Sequence, residues 1–316
     1  MLSVLLTIDS DADYFDQSLG AGSADQSPTW QGIKKGVPLL SELFQAYKGS
    51  DGSDCVATWF VRTDDQIGYY HGVNSYLFHE FKNYWCELSN SGHEIAWHPH
   101  LYKFEGKKWL QETDPVKLKE QMFSSLGAIR AAGWKITSSR IGEAYFSNSI
   151  GKELSALGIL ADSSCLPGRK RVDGNRTIDW VNSPTAPYYP SENDYRVPGR
   201  PHLSLLEIPF SMVEVMADYD REPLMRYVDL SFWHHSMKGG LDNQMKDNSI
   251  LNTIIHPSTV LHSLSFKPHG LLSFSLTEVK KNLDHIIETL KERAIEYRFK
   301  TISQLQQEIS NGRQFA

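Results

Sequence analysis

The sequence predicts an α/β fold in which parallel strands alternate with helices and curl towards a (β/α) barrel. Three observations carry this expectation. Short apolar runs alternate with stretches of helical periodicity along nearly the whole chain, the pattern of parallel strands joined by crossover helices. Polar and ionisable residues recur just past the C-terminal ends of those runs: Asp9, Asp11, Arg62, His98, His100, Arg140, Asp162 and His256. In a barrel those ends share one face, and that face carries the active site. The 316 residues contain no internal repeat and no dividing linker, so 1–316 is expected to be one domain with an irregular insertion around 165–203.

Ser3-Val4-Leu5-Leu6-Thr7-Ile8 combines β-branched residues and leucine, as suits a strand buried on both faces. It ends in Asp9-Ser10-Asp11-Ala12-Asp13, acids that repel one another and must be solvated, paired or metal-bound. A polar loop with Gly20, Gly22 and Pro28 runs to Gly36. Pro38 then fits the first turn of a helix with Val37, Leu40, Phe44 and Tyr47 at helical spacing. Cys55 to Val61 is a second strand. Leu77, Phe78, Phe81, Trp85 and Leu88 predict one amphipathic helix stopped near Gly92. Ile95-Ala96-Trp97 is the third strand, followed directly by His98 and His100. Asp114 is placed to cap a helix that starts at Pro115, buries Leu118, Met122, Leu126 and Ile129, and closes at Gly133.

Ile136 to Ile141 predicts a short strand bearing Arg140, and Ser147 to Leu157 a helix stopped by Gly158. Ile159-Leu160-Ala161 is a strand leading to Asp162. The stretch from Pro167 to Pro201 is too long for a plain connection and is expected to be functional or hairpin-like. Leu205 to Pro209 resumes a strand. His234-His235 are taken as neighbours on a strand, facing opposite ways and outside any metal shell. Ser249 to Ile255 ends in an apolar run followed by His256-Pro257. A last helix is expected from Leu276 to Tyr297, then a strand at Lys300-Thr301-Ile302 and a short closing helix.

The totals exclude several classes. Forty per cent apolar and 22% charged residues describe a globular protein with a sizeable core. A net charge of −6 with no basic block argues against a nucleic-acid partner or an anionic membrane surface. No apolar run reaches the ~18 residues of a spanning helix, and Met1 to Ile8 lacks the basic start and length of a secretory signal. Cys55, Cys86 and Cys165 are odd in number and have no C-x-x-C spacing, so reduced thiols and a cytoplasmic protein are expected. Eight Trp with fourteen each of Tyr and Phe serve core packing first and a sugar-stacking cleft second.

Asp9, Asp11, His98 and His100 offer two acids and two imidazoles. One carboxylate with two histidines makes a metal site that leaves positions open to water and substrate. A divalent metal there polarises a carbonyl and lowers the pKa of water towards ~7. The second carboxylate can then take a proton while a separate histidine protonates the leaving group. The chemistry is metal-assisted hydrolysis of an amide or ester. Taken alone, Asp-x-Asp is commonly a solvated turn and a His-x-His pair is ordinary among twelve histidines. It is their coincidence at three strand ends that points to a site.

Gly92-His93-Glu94-Ile95-Ala96-Trp97-His98 resembles the second motif of the polysaccharide deacetylases (carbohydrate esterase family four, the NodB-homology fold). Further motifs fall in that family's order. Thr7-Ile8-Asp9-Ser10-Asp11 resembles its acidic opening, with a residue between the acids. Ser139-Arg140-Ile141-Gly142-Glu143 takes the place of the arginine-proline motif, Leu160 to Ser164 resembles the following strand, and Ile254-Ile255-His256-Pro257 resembles the last motif. The resemblance implies a distorted parallel (β/α) barrel of about seven strands, NodB-like, and one divalent metal, commonly zinc, with cobalt, nickel or manganese as alternatives.

By position, Asp9 matches the catalytic base, Arg140 the arginine that holds it, and His256 the general acid. Asp11 and His98 match metal ligands. Asp179-Trp180 stands for the aspartate-tryptophan pair that supports the histidine acid. Two departures accompany this match. The family's second metal histidine lies four residues after the first, where this chain has Tyr102, so His100 completes the metal set only if the loop after Pro99 turns differently. Gly142-Glu143 replaces the motif prolines.

The implied activity is removal of an N-acyl (acetyl) group from an amino sugar of a glycan or glycan precursor. The implied partner is a carbohydrate or acylated amino sugar. Two alternatives are hydrolysis of another non-peptide C–N bond, as in a cyclic amide or formyl group, and carbohydrate binding on a catalytically degenerate scaffold. Nothing in the sequence indicates the oligomeric state.

Overall fold

The computed structural model describes residues 1–13, 27–173, 176–247, 249–265 and 270–312. Strand β1, Leu2–Ser10, is buried at all nine positions, as its continuous apolar run requires. Residues 14–26 of the expected polar loop, including Gly20 and Gly22, lie outside the described residues. Its end, Gly32–Gly36, is a π-helical turn that runs on into α1, Val37–Gln45, with Pro38 in the first turn. After β2, Ala57–Arg62, come α2, Asp65–His71, capped by the Asp64 carboxylate, and α3, Tyr76–Glu80. The single helix expected over Leu77 to Leu88 is therefore α3 plus α4, Lys82–Asn90. The break is at Phe81 (φ −108°, ψ 24°), across which Trp85 Nε1 donates to the Leu77 carbonyl and draws the indole into the core.

Strand β3 is Glu94–His98. An unanticipated hairpin follows, β4 (Tyr102–Glu105) and β5 (Lys108–Gln111), turning on Gly106 and Lys107 with φ of 57° and 66°. Helix α5, Pro115–Ala131, starts at its Asp114 cap as expected. The strands predicted around Arg140 and Leu160 shrink to β6, Ser138–Ser139, and β7, Ala161–Asp162, on either side of α6, Asn148–Ala156. The stretch from Pro167 to Pro201 contains the hairpin β8 (Lys170–Asp173) and β9 (Arg176–Asp179), in line with its length.

Beyond β10, Leu206–Glu207, a second unanticipated hairpin, β11 (Met212–Val215) and β12 (Leu224–Tyr227), precedes α7, His234–Asp247. His234-His235 thus open a helix rather than lie on a strand. The His234 amide donates to Glu278, and its Nδ1 bonds Asn282, so the ring is used in packing α7 against the following helix. After β13, Ile250–Ile255, helix α8 stops at Glu292, because Tyr297–Phe299 is itself the last strand, β14. Thr301, expected in that strand, instead forms a capping box with Gln304 at the start of α9, Ile302–Ser310.

The strands form one parallel sheet in the order β10-β7-β6-β3-β2-β1-β13. Strand β14 pairs with the first residues of β1, below the β1–β2 pairing. The sheet curls into a distorted (β/α) barrel. Between its edges, β10 and β13, the gap is bridged by irregular backbone: Ser211 donates to the Asn252 carbonyl, Leu230 to that of Ile254, and the Asn252 side chain to Ile208 and Pro209.

Strand period decides what lies inside. Val4, Leu6, Ile8, Trp59, Val61, Ile95 and Trp97 pack outward under the helices. Leu5, Phe60, Ala96, Ala161 and Leu206 point inward and meet Ile302 and Leu305 of α9, which plugs the barrel floor. Continuing the inward row upward from Leu5 gives Thr7 and Asp9, and from Ala96 it gives His98. An apolar floor therefore passes into a polar mouth.

Candidate metal centre at the barrel mouth

Parallel register aligns the C-terminal ends that the site needs. Asp9 pairs with Phe60, Arg62 with His98, Trp97 with Ser139 and Ile8 with Ile255. One short step past these ends lie Asp11, His100, Arg140 and His256. The three acids of the run after β1 then separate by role. Asp13 accepts from Thr29 Oγ1 and from the amides of Gln31 and Gly32, fastening the π-helical turn, while Asp9 and Asp11 stay in the mouth.

Asp11, His98 and His100 each place one ligand atom within 4.8 Å of the others. His98 Nε2 is 3.4 Å and His100 Nε2 3.1 Å from the Asp11 carboxylate, and the two Nε2 atoms are 3.2 Å apart. On the far side of each ring, His98 Nδ1 is 2.7 Å from the Arg140 carbonyl and His100 Nδ1 is 3.1 Å from the Tyr102 hydroxyl. A carbonyl can only accept, so His98 carries a proton on Nδ1, which leaves Nε2 as the inward atom open to a metal. Ligand atoms that converge on one point in this way suit a divalent cation bound by one oxygen and two nitrogens.

The electrostatics agree with that fit. Burial alone would raise the Asp11 carboxyl, but His100 and His98 against it hold it well below the usual range. Burial lowers His100, and the Arg62 guanidinium lowers it further, which keeps the ring neutral as a ligand must be. For His98 the burial effect is outweighed by Asp9 and Asp11, so its pKa rises without a cation. A metal in this position would replace the proton that the two carboxylates otherwise favour.

Asp9 sits one layer deeper. Its Oδ1 receives Arg140 Nη1 at 2.7 Å, and its Oδ2 faces His98 Nε2 at 3.8 Å. Arg140 is itself immobilised: Nη1 also donates to Thr7 Oγ1, Nε to the Ser163 carbonyl and Nη2 to Ser163 Oγ. Phe60 and Phe210 cover its two faces, each ring centroid 4.3 Å from Cζ. His256 enters from the end of β13, with Nε2 3.9 Å from Asp11 Oδ2.

The remaining sequence-predicted residues divide. His100 is in the centre, because the chain after Pro99 is held by an unanticipated acid: Asp64 takes the His100 amide at 3.1 Å while also bonding Arg62 Nε and capping α2. Tyr102 lies behind the His100 ring, at Nδ1, and donates to Glu143 Oε1 at 2.9 Å. Asp162 faces Glu207 behind Arg140 instead of the mouth.

Asp179, expected to support His256, is engaged by Arg196 at 3.1 Å and Lys170 at 3.7 Å on its own hairpin. Besides Asp11, an acid that interacts with His256 is Asp229, buried at a bridge to Ile254 beside the end of β13. Burial raises the Asp229 carboxyl, and His256 and Ser231 work against that rise. The signal for it was a lone acid in Tyr227-Val228-Asp229-Leu230, an otherwise apolar run.

Fold and site together define a (β/α) barrel with a candidate metal centre at its C-terminal mouth. No family model matches the sequence, and no curated protein matches it. Among solved structures, the chain is similar to a provisionally assigned glycoside hydrolase/deacetylase of Parabacteroides distasonis. That pair has a TM-score of 0.63 at 13% identity, over 97% of this chain and 70% of that one. It is also similar to a provisionally assigned polysaccharide deacetylase of Mycobacterium smegmatis, with a TM-score of 0.57 at 16% identity over 99% and 92%. At such identities the likeness establishes the fold, the NodB-like distorted barrel. Among the described residues no helix is long and apolar enough to cross a membrane.

Proposed function

We propose that the chain, 1–316 acting as one catalytic unit, is a metal-dependent hydrolase that removes an N-acetyl or related acyl group from an amino sugar of a glycan or glycan precursor. The observation that carries this reading is the convergence of Asp11, His98 and His100 beside an Arg140-clamped Asp9. The two similar barrels, both assigned to deacetylase classes, support it.

Asp11 Oδ and the Nε2 atoms of His98 and His100 would hold the metal, zinc first, with cobalt, nickel or manganese as substitutes. When bound, such a metal polarises the acyl carbonyl and makes water acidic enough to attack at neutral pH. Asp9 acts as the base. Arg140 binds its Oδ1, which leaves Oδ2 to take the proton of the attacking water. His256, with Asp229 supplying negative charge beside it, delivers a proton to the departing amine. The balance is one water consumed, acetate and free amine released. Cys55, Cys86 and Cys165 are all unpaired, which supports a reducing compartment, the cytoplasm.

The test is acetate release from a panel of N-acetylated sugars and their oligomers, with each metal and with a chelator. Turnover of the acetamido sugars that the chelator abolishes supports the proposal. Turnover confined to formamides or cyclic amides assigns the other C–N hydrolysis, and metal-independent sugar binding without turnover overturns the reading.

A further inference from the structure

Two features that depart from the family pattern touch one another. Tyr102 stands where the second metal histidine is expected, and Gly142-Glu143 stands where prolines are expected. In the fold Tyr102 Oη lies 3.1 Å from His100 Nδ1 and 2.9 Å from Glu143 Oε1, while Gly142 lies against the His100 ring. A Cβ at position 142 would sit 2.3 Å from His100 Cδ2, so a proline or any other side chain there excludes the ring from its place.

The proton inventory gives the contact a direction. A carboxylate only accepts, so the single tyrosine proton goes to Glu143. The hydroxyl oxygen then offers only lone pairs to His100, and Nδ1 must be the donor. With its single proton on Nδ1, the neutral ring turns a bare Nε2 towards His98 and towards Asp11 Oδ1 at 3.1 Å, the acceptor that competes for that proton until a cation takes its place. The backbone at Glu143 (φ 58°) and Ala144 (φ 52°) is left-handed, a conformation costing on the order of 1 kcal/mol or more at a residue other than glycine. That bend carries the Glu143 carboxylate to the tyrosine.

We propose that Glu143 and Tyr102 lock the tautomer of His100 and so convert a histidine at a displaced position into the third ligand of the centre. They are positioning residues. The altered motifs are then one coordinated rearrangement: Gly142 admits the ring, Tyr102 and Glu143 orient it, and Asp64 holds its backbone. The ligand role rests on the metal-centre reading; the tautomer lock can be read without metal.

The experiment uses the full chain with 15N-labelled histidine, metal-free at pH 8, observed by long-range proton–nitrogen correlation. The His100 signals are identified by their loss in His100→Gln. The expected wild-type spectrum shows His100 protonated on Nδ1. Tyr102→Phe should give a tautomer mixture, and Glu143→Gln a smaller change, because its amide can either accept from the tyrosine or donate to it. Nε2 protonation in the wild type, or an unchanged tautomer in Tyr102→Phe, overturns the lock.

Zinc titration of the same proteins provides the second readout, with thermal melts to establish that each is folded. Tyr102→Phe should bind zinc about 10–100-fold more weakly. Equal affinity overturns the lock alone. A locked wild type that takes up no zinc overturns the metal-centre reading and, with it, the ligand role of His100.

Discussion

Replacing Arg140 with Met should destabilise the metal-free protein by about 3–5 kcal/mol, the usual cost of stranding one member of a buried ion pair. The side chain makes four hydrogen bonds, one of them to Asp9 at 2.7 Å, and only 2% of it is exposed. Met keeps only the unbranched stem and vacates the Cζ position between Phe60 and Phe210, so the double variant is what separates the charge from the lost packing. Arg140→Met strands the Asp9 carboxylate, whereas Asp9→Asn in the same background removes that charge and should recover ~1.5–3 kcal/mol, the worth of a hydrogen bond to a charged group. Urea unfolding of wild type, both single variants and the double variant gives the cycle. At ~2 °C per kcal/mol for a chain of this size, Arg140→Met should melt roughly 6–10 °C lower. Additive effects of the two substitutions, or a loss under ~1 kcal/mol from Arg140→Met, would refute the clamp.

Asp162 and Glu207 form a buried pair on adjacent strands. Burial raises both acids, Asp162 to about 6 and Glu207 well above its usual range, and Asp162 raises Glu207 further. At this pair the folded state therefore binds protons more tightly than the unfolded chain, so the pair's contribution to stability is greatest below pH ~4 and falls as pH rises through 6 and above. Glu207→Gln places an amide donor against Asp162 and should flatten that fall, gaining on the order of 1–3 kcal/mol at pH 8; urea midpoints at three pH values check it. Gly142→Ala should weaken zinc binding by about 10-fold or more in titration, since its Cβ would overlap the His100 ring. His256→Ala should lower kcat by about 10²–10⁴-fold with zinc affinity unchanged; a parallel loss of zinc would make it a ligand rather than the acid.

How much was legible depended on whether a segment's burial is continuous. Strands β1, β2, β3 and β13 are covered on both faces, and each run ends at residues of the site, so sequence pattern alone placed Asp9, Asp11, His98 and His256 at one mouth. Strands β6, β7 and β10 are only two residues long, too short for any period to show. Hairpin β4–β5 was hidden because Gly106-Lys107 is not a common turn pair and three lysines dilute the alternation of Tyr102, Phe104 and Trp109.

Helix α7 carries Gly239-Gly240, which argues against a helix locally. Gly240 is there for packing, since a Cβ would fall 2.2 Å from the Glu214 carbonyl of β11. At the site, Asp64 and Asp229 escaped notice because each acts through a backbone bridge or cap that no motif spacing records. The displaced His100 could not be judged from spacing, because the room for it is made at Gly142, far along the chain.

The central claim is that Asp11, His98 and His100, rather than Tyr102, bind one divalent metal. Anomalous diffraction from zinc-soaked crystals tests it directly. The account predicts one zinc with Asp11 oxygen and both histidine Nε2 atoms at about 2.0–2.2 Å, and the Tyr102 hydroxyl still behind the ring at Nδ1. A zinc bound by Tyr102, a zinc lacking His100, or a mouth that stays metal-free at saturating zinc would contradict it.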